Sequence, residues 1–262
     1  MIIKLNLLYE GTNYAGWQRQ KNAVAVQNVL ENVLSGLYRE QVLTVGSGRT
    51  DSGVHAAEQI AVFNIKKNKI PTAKLPAVLN RQLPSDIRIK KAETVTGANF
   101  HPRYSARVRQ YRYILLKHLK NRYNADLFLN RFSWHPGIEL DKKTVTQLLR
   151  PLTGIHDFTT FCAADDSSAV KLREIFKIEV KQKPGALFID IYGNAFLKAM
   201  VRSIIGNMIH TIKNNKPGTY LKHILLKQDR RLAKQRAPAC GLTLMRVYYR
   251  KIFGERDYYK RT

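Results

Sequence analysis

The run Gly46-Ser47-Gly48-Arg49-Thr50-Asp51-Ser52-Gly53-Val54-His55-Ala56 places a carboxylate two residues from an arginine in a glycine-punctuated loop. Strand-like residues flank it, Val42, Leu43 and Val45 before and Ile60, Val62 and Phe63 after. Loops on rigid scaffolds commonly present chemistry. Asp and Gly also populate turns for backbone reasons alone, so a plain turn is the other reading of Asp51. A phosphate-binding loop is excluded because no Gly-Lys-Ser/Thr follows. A dinucleotide fingerprint is excluded because Asp51 stands where a third glycine is needed, and its charge would repel phosphate. An ionised aspartate can instead attack carbon as a nucleophile, and a nearby arginine favours the ionised form.

The chain that carries this loop is a polycation. Its 262 residues include 45 Lys and Arg against 19 Asp and Glu, a formal net charge of +26. Such a charge repels itself in the compact state, and a polyanionic partner relieves it by releasing counterions. The positive residues are spread along the whole chain rather than gathered on one amphipathic helix, which favours RNA or DNA over a lipid surface. The N-terminus has no long apolar region or small-residue cleavage site, and no apolar stretch is long enough to span a bilayer. A cytoplasmic protein with no membrane association is expected. Cys162 and Cys240 form no metal-type pair and read as small buried hydrophobes.

The elements that must hold the loop follow from periodicity. Residues 2–9 read as a strand and 14–20 as a loop. Val26, Val29, Leu30, Val33, Leu34 and Leu37 form one stripe of a helix over 24–38. A short helix near 73–81 and a strand at 86–95 complete the first half. In the strand 107–116, Val108, Gln110, Arg112 and Ile114 share one face, and Arg109, Tyr111, Tyr113 and Leu115 the other. Asp141 is a candidate N-cap for a helix through Leu149. Strands at 172–182 and 186–192 turn at Lys183-Pro184-Gly185. Phe196, Met200, Ile204 and Met208 mark a helix over 195–212. Ala237-Pro238-Ala239 breaks the chain before a last strand at 242–249, and the charged tail past Gly254 is expected to fray. The fold class expected is α+β, with helices on one sheet face and two similar RRM-like or ferredoxin-like halves, residues 1–105 and 106–262.

Several blocks in order resemble the tRNA pseudouridine synthase A (TruA) family. They are Tyr9-Glu10-Gly11-Thr12-Asn13-Tyr14 with Gly16-Trp17-Gln18-Arg19-Gln20, then Gly48-Arg49-Thr50-Asp51-Ser52-Gly53-Val54-His55-Ala56. Leu79-Asn80, Leu83-Pro84, Phe100-His101-Pro102-Arg103 and Arg109-Gln110-Tyr111-Arg112-Tyr113 follow. The last are Gly154-Ile155-His156-Asp157-Phe158-Thr159-Thr160-Phe161, Phe196-Leu197 with Met200-Val201-Arg202, and Ala237-Pro238-Ala239-Cys240-Gly241-Leu242. The blocks run over nearly the whole chain.

The resemblance implies that Asp51 is the catalytic aspartate and Tyr111 stacks on the target uracil. It implies that Arg202 pairs with the catalytic carboxylate, that Arg49 takes part in base flipping, and that two arginines near Asp51 hold it ionised. His101 and Arg103 lie in a block that resembles an RNA-contacting loop, and the residues around Phe161 resemble a second. His55 and His156 are expected to be structural. Ser52, Ser47 and Pro102 depart from residues frequent in the family, as do Lys198 and Ala199, where an aromatic residue and histidine are common; Lys198 could contact a phosphate instead. The resemblance also implies one continuous, mixed, mostly antiparallel sheet through both halves with the active site in the cleft between them. A homodimer is implied, with the 3′ side of the tRNA anticodon stem-loop as substrate.

The reaction so implied breaks the N1–C1′ bond of a uridine, turns the base and rejoins it through C5. It is redox-neutral and needs no energy input, so neither cofactor nor metal is expected. Two other classes of RNA-directed protein would need residues of a different pattern. A non-catalytic RNA-binding module with two RRM-like halves would carry an aromatic Arg/Lys-Gly-Phe/Tyr-Gly/Ala-Phe run, and none is present. A hydrolytic RNase would need paired histidines or a metal-binding carboxylate cluster, and the adjacent pair Asp165-Asp166 reads as a solvated loop.

Overall fold

The computed structural model describes residues 1–67, 70–96, 99–117 and 129–253. The expected fraying past Gly254 therefore lies outside the described residues. Nine strands are present among the described residues: β1 (Ile2–Tyr9), β2 (Thr44–Gly46), β3 (His55–Asn64), β4 (Ile87–Thr94), β5 (Val108–Leu116), β6 (Gly154–Asp157), β7 (Leu172–Lys183), β8 (Ala186–Gly193) and β9 (Leu242–Tyr248). The described helices are α1 (Val26–Tyr38), α2 (Leu75–Asn80), α3 (Lys142–Leu149), α4 (Met200–Lys213) and α5 (Tyr220–Lys227). None is long and apolar enough to cross a membrane.

All nine strands belong to one mixed, mostly antiparallel sheet in the order β4-β1-β3-β9-β5-β8-β7-β6, with β2 also paired to β3. The alternation of side chains sets its faces. Ile3, Leu5, Leu7 and Tyr9 of β1, Tyr111, Tyr113 and Leu115 of β5, and Leu187, Ile189 and Ile191 of β8 are buried in one core. Val26, Leu30 and Leu34 of α1, Val145 and Leu149 of α3, and Met200, Ile204 and Met208 of α4 join the same core. The Asp141 carboxylate accepts from Thr144 N at 2.8 Å and starts α3 as a cap.

The pairing of β3 explains why a loop is thrown off beside it. β1 takes one edge of β3 along its length, from Ile2↔Asn64 to Tyr9↔Ala56. The other edge is shared. β2 pairs there only as far as Gly46↔Ala61, and β9 pairs in parallel at His55↔Thr243 and Ala56↔Leu244. The chain leaving β2 cannot continue along β3 where β9 already lies, so residues 47–54 are displaced from the sheet.

One boundary differs from the periodicity. The helix expected from residue 195 begins at Met200. Asp166 Oδ2 accepts Lys198 N at 2.6 Å, the first N–H that a helix begun at residue 195 would have to bond internally. Ala199 then adopts a left-handed backbone, φ 59°. Met200, Ile204 and Met208 keep the buried stripe, while Phe196 is released from it.

Candidate active site

The displaced loop is braced from below. Ser47 is fully buried; its Oγ donates to Gln59 Oε1 at 2.6 Å, and Gln59 Nε2 returns a bond to Gly48 O at 2.8 Å. Thr50 Oγ1 and the Tyr9 hydroxyl are 2.8 Å apart, and Trp17 N donates to Thr50 O at 3.2 Å. The segment after β1 must pass very close to this loop. A Cβ on Gly11 would stand 2.1 Å from Val54 O, and one on Gly16 would stand 2.3 Å from Thr50 O. Glycine is needed at both positions, which is the physical link between the Tyr9–Gln20 block and the Asp51 block.

With Thr50 turned inward, Asp51 faces a cavity of about 600 Å³, lined among others by Arg49, Tyr111, Phe196, Lys198 and Arg202. Such a volume suits a small ligand or a single extruded base. Asp51 Oδ2 accepts from Arg202 Nη1 at 3.0 Å. Arg202 projects from the first turn of α4, and its Nε donates to Ala237 O at 2.9 Å while Ala237 N donates to Arg202 O at 2.9 Å. Asn207, one turn on and fully buried, holds the same strap of chain, residues 234–237, by donating to Gln235 O at 3.0 Å and accepting Lys234 N at 2.8 Å. The strap lies so close that a Cβ on Gly206 would meet Gln235 O at 2.5 Å and Ala237 N at 2.7 Å. Gly206→Ala is therefore expected to push the strap off α4 and to cost about 1–3 kcal/mol of stability by overpacking. A thermal melt indistinguishable from the parent's would contradict this.

Tyr111 enters the same cavity from β5. Its ring meets Phe196 edge-on, with centroids 5.1 Å apart and planes at 82°. This is where the residue released from the α4 stripe goes. Burial pushes the Tyr111 phenol well above its ordinary range; Arg109 opposes the shift and the Asp51 carboxylate adds to it. The phenol is therefore neutral at any physiological pH, an uncharged face beside an anion.

The structure thus brings Asp51, Tyr111 and Arg202 together. Arg49 lines the cavity but is exposed, and among the described residues it makes no ion pair with Asp51. Of the two arginines expected near Asp51, Arg202 bonds the carboxylate and Arg49 lines the same cavity. Arg103 lines the same cavity, and with Arg49, His101 and Tyr104 also lines a smaller one of about 280 Å³ beside it. His101 Nδ1 accepts from Arg103 N at 3.1 Å and Tyr104 N at 3.2 Å, so the ring shapes its own loop.

His55 is buried, accepts Gly11 N on Nδ1 at 3.0 Å and meets Cys240 O through Nε2 at 3.1 Å. Burial lowers its affinity for a proton, with Glu10 partly offsetting. Phe161 is fully buried in the core rather than presented to a ligand, although residues 165–168 beyond it line the cavity. The reading of Asp165-Asp166 as solvated is corrected for Asp166. Burial alone would raise its carboxyl, but Lys171 and the N–H groups of Lys198 and Ser168 outweigh that and hold it below the usual carboxylate range. Asp165 is exposed and paired with Lys198 Nζ, so Lys198 already has an anionic partner.

Sequence reasoning passed over Arg109, Gln59, Asn207 and the contact of Phe196 with Tyr111. For Arg109 a signal was present: an arginine on the otherwise apolar face that it shares with Tyr111, Tyr113 and Leu115. Asn207 and Gln59 had none, because the bonds that tie Asn207 to Gln235 and Lys234, and Gln59 to Ser47 and Gly48, reach other segments of the chain.

Comparisons with known proteins give matches over most of the chain. A family model described as tRNA pseudouridine synthase matches residues 7–105 and 148–250. These spans take in Arg49, Asp51, Arg103 and Arg202, and Tyr111 lies between them. The tRNA pseudouridine synthase A of Brachyspira hyodysenteriae is 36% identical over 249 residues, covering 95% of this chain and 98% of that protein. That of Brevibacillus brevis is 37% identical over 243 residues, 93% of this chain and 97% of that protein. That of Ruminiclostridium cellulolyticum is 39% identical over 248 residues, 94% of this chain and 99% of that protein.

Proposed function

The chain belongs to the tRNA pseudouridine synthase family, and on that premise we propose that it isomerises uridine in the anticodon stem-loop of tRNA with Asp51 as the nucleophile. The observation that carries the reading is the Asp51 carboxylate held by Arg202 in a cavity that also presents the uncharged ring of Tyr111. Uridine offers the flat π-face of its base and a glycosidic carbon; the site offers a π-platform and an anion to match.

The target uridine lies in a stacked stem, and extruding it costs a few kcal/mol. Phosphate contacts spread over a chain of charge +26 offset that cost. Arg49 and Arg103, both exposed at the cavity wall, are suited to them. Stacking on Tyr111 contributes about 1–3 kcal/mol. Asp51 then adds to the uracil ring, attacks C1′, or takes a ribose proton towards a glycal; one carboxylate in this position serves each route. In all of them the N1–C1′ bond breaks, C1′ bonds to C5, and the C5 proton is lost as N1 gains one. No electron acceptor and no energy source is consumed.

The same reading treats residues 1–105 and 106–262 as two halves with the site in the cleft between them, the first contributing Asp51 and the second Tyr111 and Arg202. It includes a homodimer gripping one tRNA across both subunits, which would account for a charge larger than one cavity needs. Incubating the purified protein with an unmodified tRNA transcript tests the function. Pseudouridine is expected on the 3′ side of the anticodon stem, with RNA length unchanged. Shortened RNA would favour a nuclease, and binding without pseudouridine a non-catalytic module. Arg103→Gln should weaken tRNA binding and flatten the dependence of log affinity on log salt by roughly one unit.

A further inference from the structure

We propose that Arg109 is a positioning residue: its guanidinium registers three separate loops around the reacting base, and its fork geometry, rather than its charge alone, sets the turnover rate. This rests on the pseudouridine synthase reading and extends it to a residue of the cavity wall that acts through the loops it holds.

Arg109 stands two residues before Tyr111 on the same face of β5 and is 8% exposed. Its Nε and Nη2 donate to Ser47 O at 3.3 and 2.9 Å. Nη2 also donates to Arg103 O at 2.7 Å, and Nη1 donates to Asn194 O at 2.5 Å. These carbonyls belong to three different parts of the site. Ser47 opens the loop that carries Asp51. Arg103 belongs to the loop that leads into β5 and lines both cavities. Asn194 opens the irregular segment that sets Phe196 against Tyr111 and ends at α4, where Arg202 begins its reach to Asp51.

A planar guanidinium presents five N–H donors at fixed angles and can satisfy three convergent carbonyls at once. A lysine ammonium is shorter and tetrahedral, and it cannot reach all three in these directions. The consequence is a mechanical link. Any shift of the Arg103 loop on RNA binding is transmitted through one rigid side chain to the base of the Asp51 loop and to the Phe196 segment. A reacting atom misplaced by about 1 Å can cost about a hundredfold in rate, so registration of this kind acts on the chemical step and not on affinity.

Single-turnover rate at saturating enzyme and tRNA affinity are measured side by side for the parent, Arg109→Lys and Arg109→Ala. Arg109→Lys, which keeps the charge and the stem, is expected to lower the rate by about tenfold or more, the loss of one or two charge-assisted hydrogen bonds, with affinity close to the parent's. Adding ethylguanidinium to Arg109→Ala should restore part of the rate, and ethylammonium at the same concentration should not. Parental rate in the lysine variant, equal rescue by ethylammonium, or a rate loss that merely follows the loss of folded protein in a thermal melt would each overturn the proposal. A parent enzyme that forms no pseudouridine would instead defeat the underlying functional reading, so the two failures are distinct.

Discussion

Asp51→Asn should reduce pseudouridine formation by at least about a thousandfold, as expected when the group that forms the covalent bond is removed, while tRNA still binds. The substitution changes almost no volume. The amide oxygen can still accept the Arg202 Nη1 hydrogen bond that the carboxylate accepts at 3.0 Å. The turn itself is made by backbone, since Val54 N donates to Asp51 O at 3.1 Å, and Gly53 supplies the positive φ of 77° that follows. Neither depends on the carboxylate. The variant therefore keeps its loop, its fold and its thermal melt, and what it loses is a nucleophile. Binding should hold or tighten slightly, because one negative charge leaves a surface whose attraction for RNA is mainly electrostatic. Turnover retained in Asp51→Asn would remove the nucleophile assignment outright, whereas loss of turnover together with loss of binding would point to a structural role for the side chain.

What could be read before the fold was known divides along a physical line. α1 was legible because Val26, Leu30 and Leu34 repeat at helical spacing and the core they meet asks only for an apolar stripe. The faces of β5 were legible for the same reason at a period of two. The start of α4 was not, because it is decided by Asp166, whose side chain captures a backbone N–H the stripe would have placed in a helix, and by the left-handed backbone at Ala199. The insertion of β9 beside β3 was not legible either. It joins residues 55 and 243, and no local pattern encodes so distant a pairing. In the site, Asp51, Tyr111 and Arg202 could be named from their motifs, as could the pairing of Arg202 with the carboxylate, but the turn of Thr50 to Tyr9 across forty positions of chain, which braces the loop, could not. Residues identified by type were thus accessible, and residues that act by direction were not.

Arg202→Met should lower kcat by roughly 10- to 150-fold, the equivalent of the 1.5–3 kcal/mol typical of a hydrogen bond to a charged group. The Arg202 side chain has two partners on opposite sides, Ala237 O through Nε and Asp51 Oδ2 through Nη1. It is thereby pinned to the strap before it reaches the carboxylate, which limits the angles at which Asp51 can face Tyr111. Methionine preserves the stem that packs in α4 and removes both donors. The backbone bond from Ala237 N to Arg202 O does not involve the side chain, and Asn207 still holds Gln235 and Lys234, so the strap and the helix should remain in place. The melt is then expected to move little while the rate falls. Arg202→Lys should lie between the two, since an ammonium restores a positive charge near Asp51 but cannot serve Ala237 and the carboxylate together. The order parent, lysine, methionine in kcat, with similar tRNA affinity throughout, is what orientation of the nucleophile requires. Equal rates in parent and methionine variant would mean that Asp51 finds its reacting geometry without Arg202, and the ion pair would then be a feature of the resting site alone.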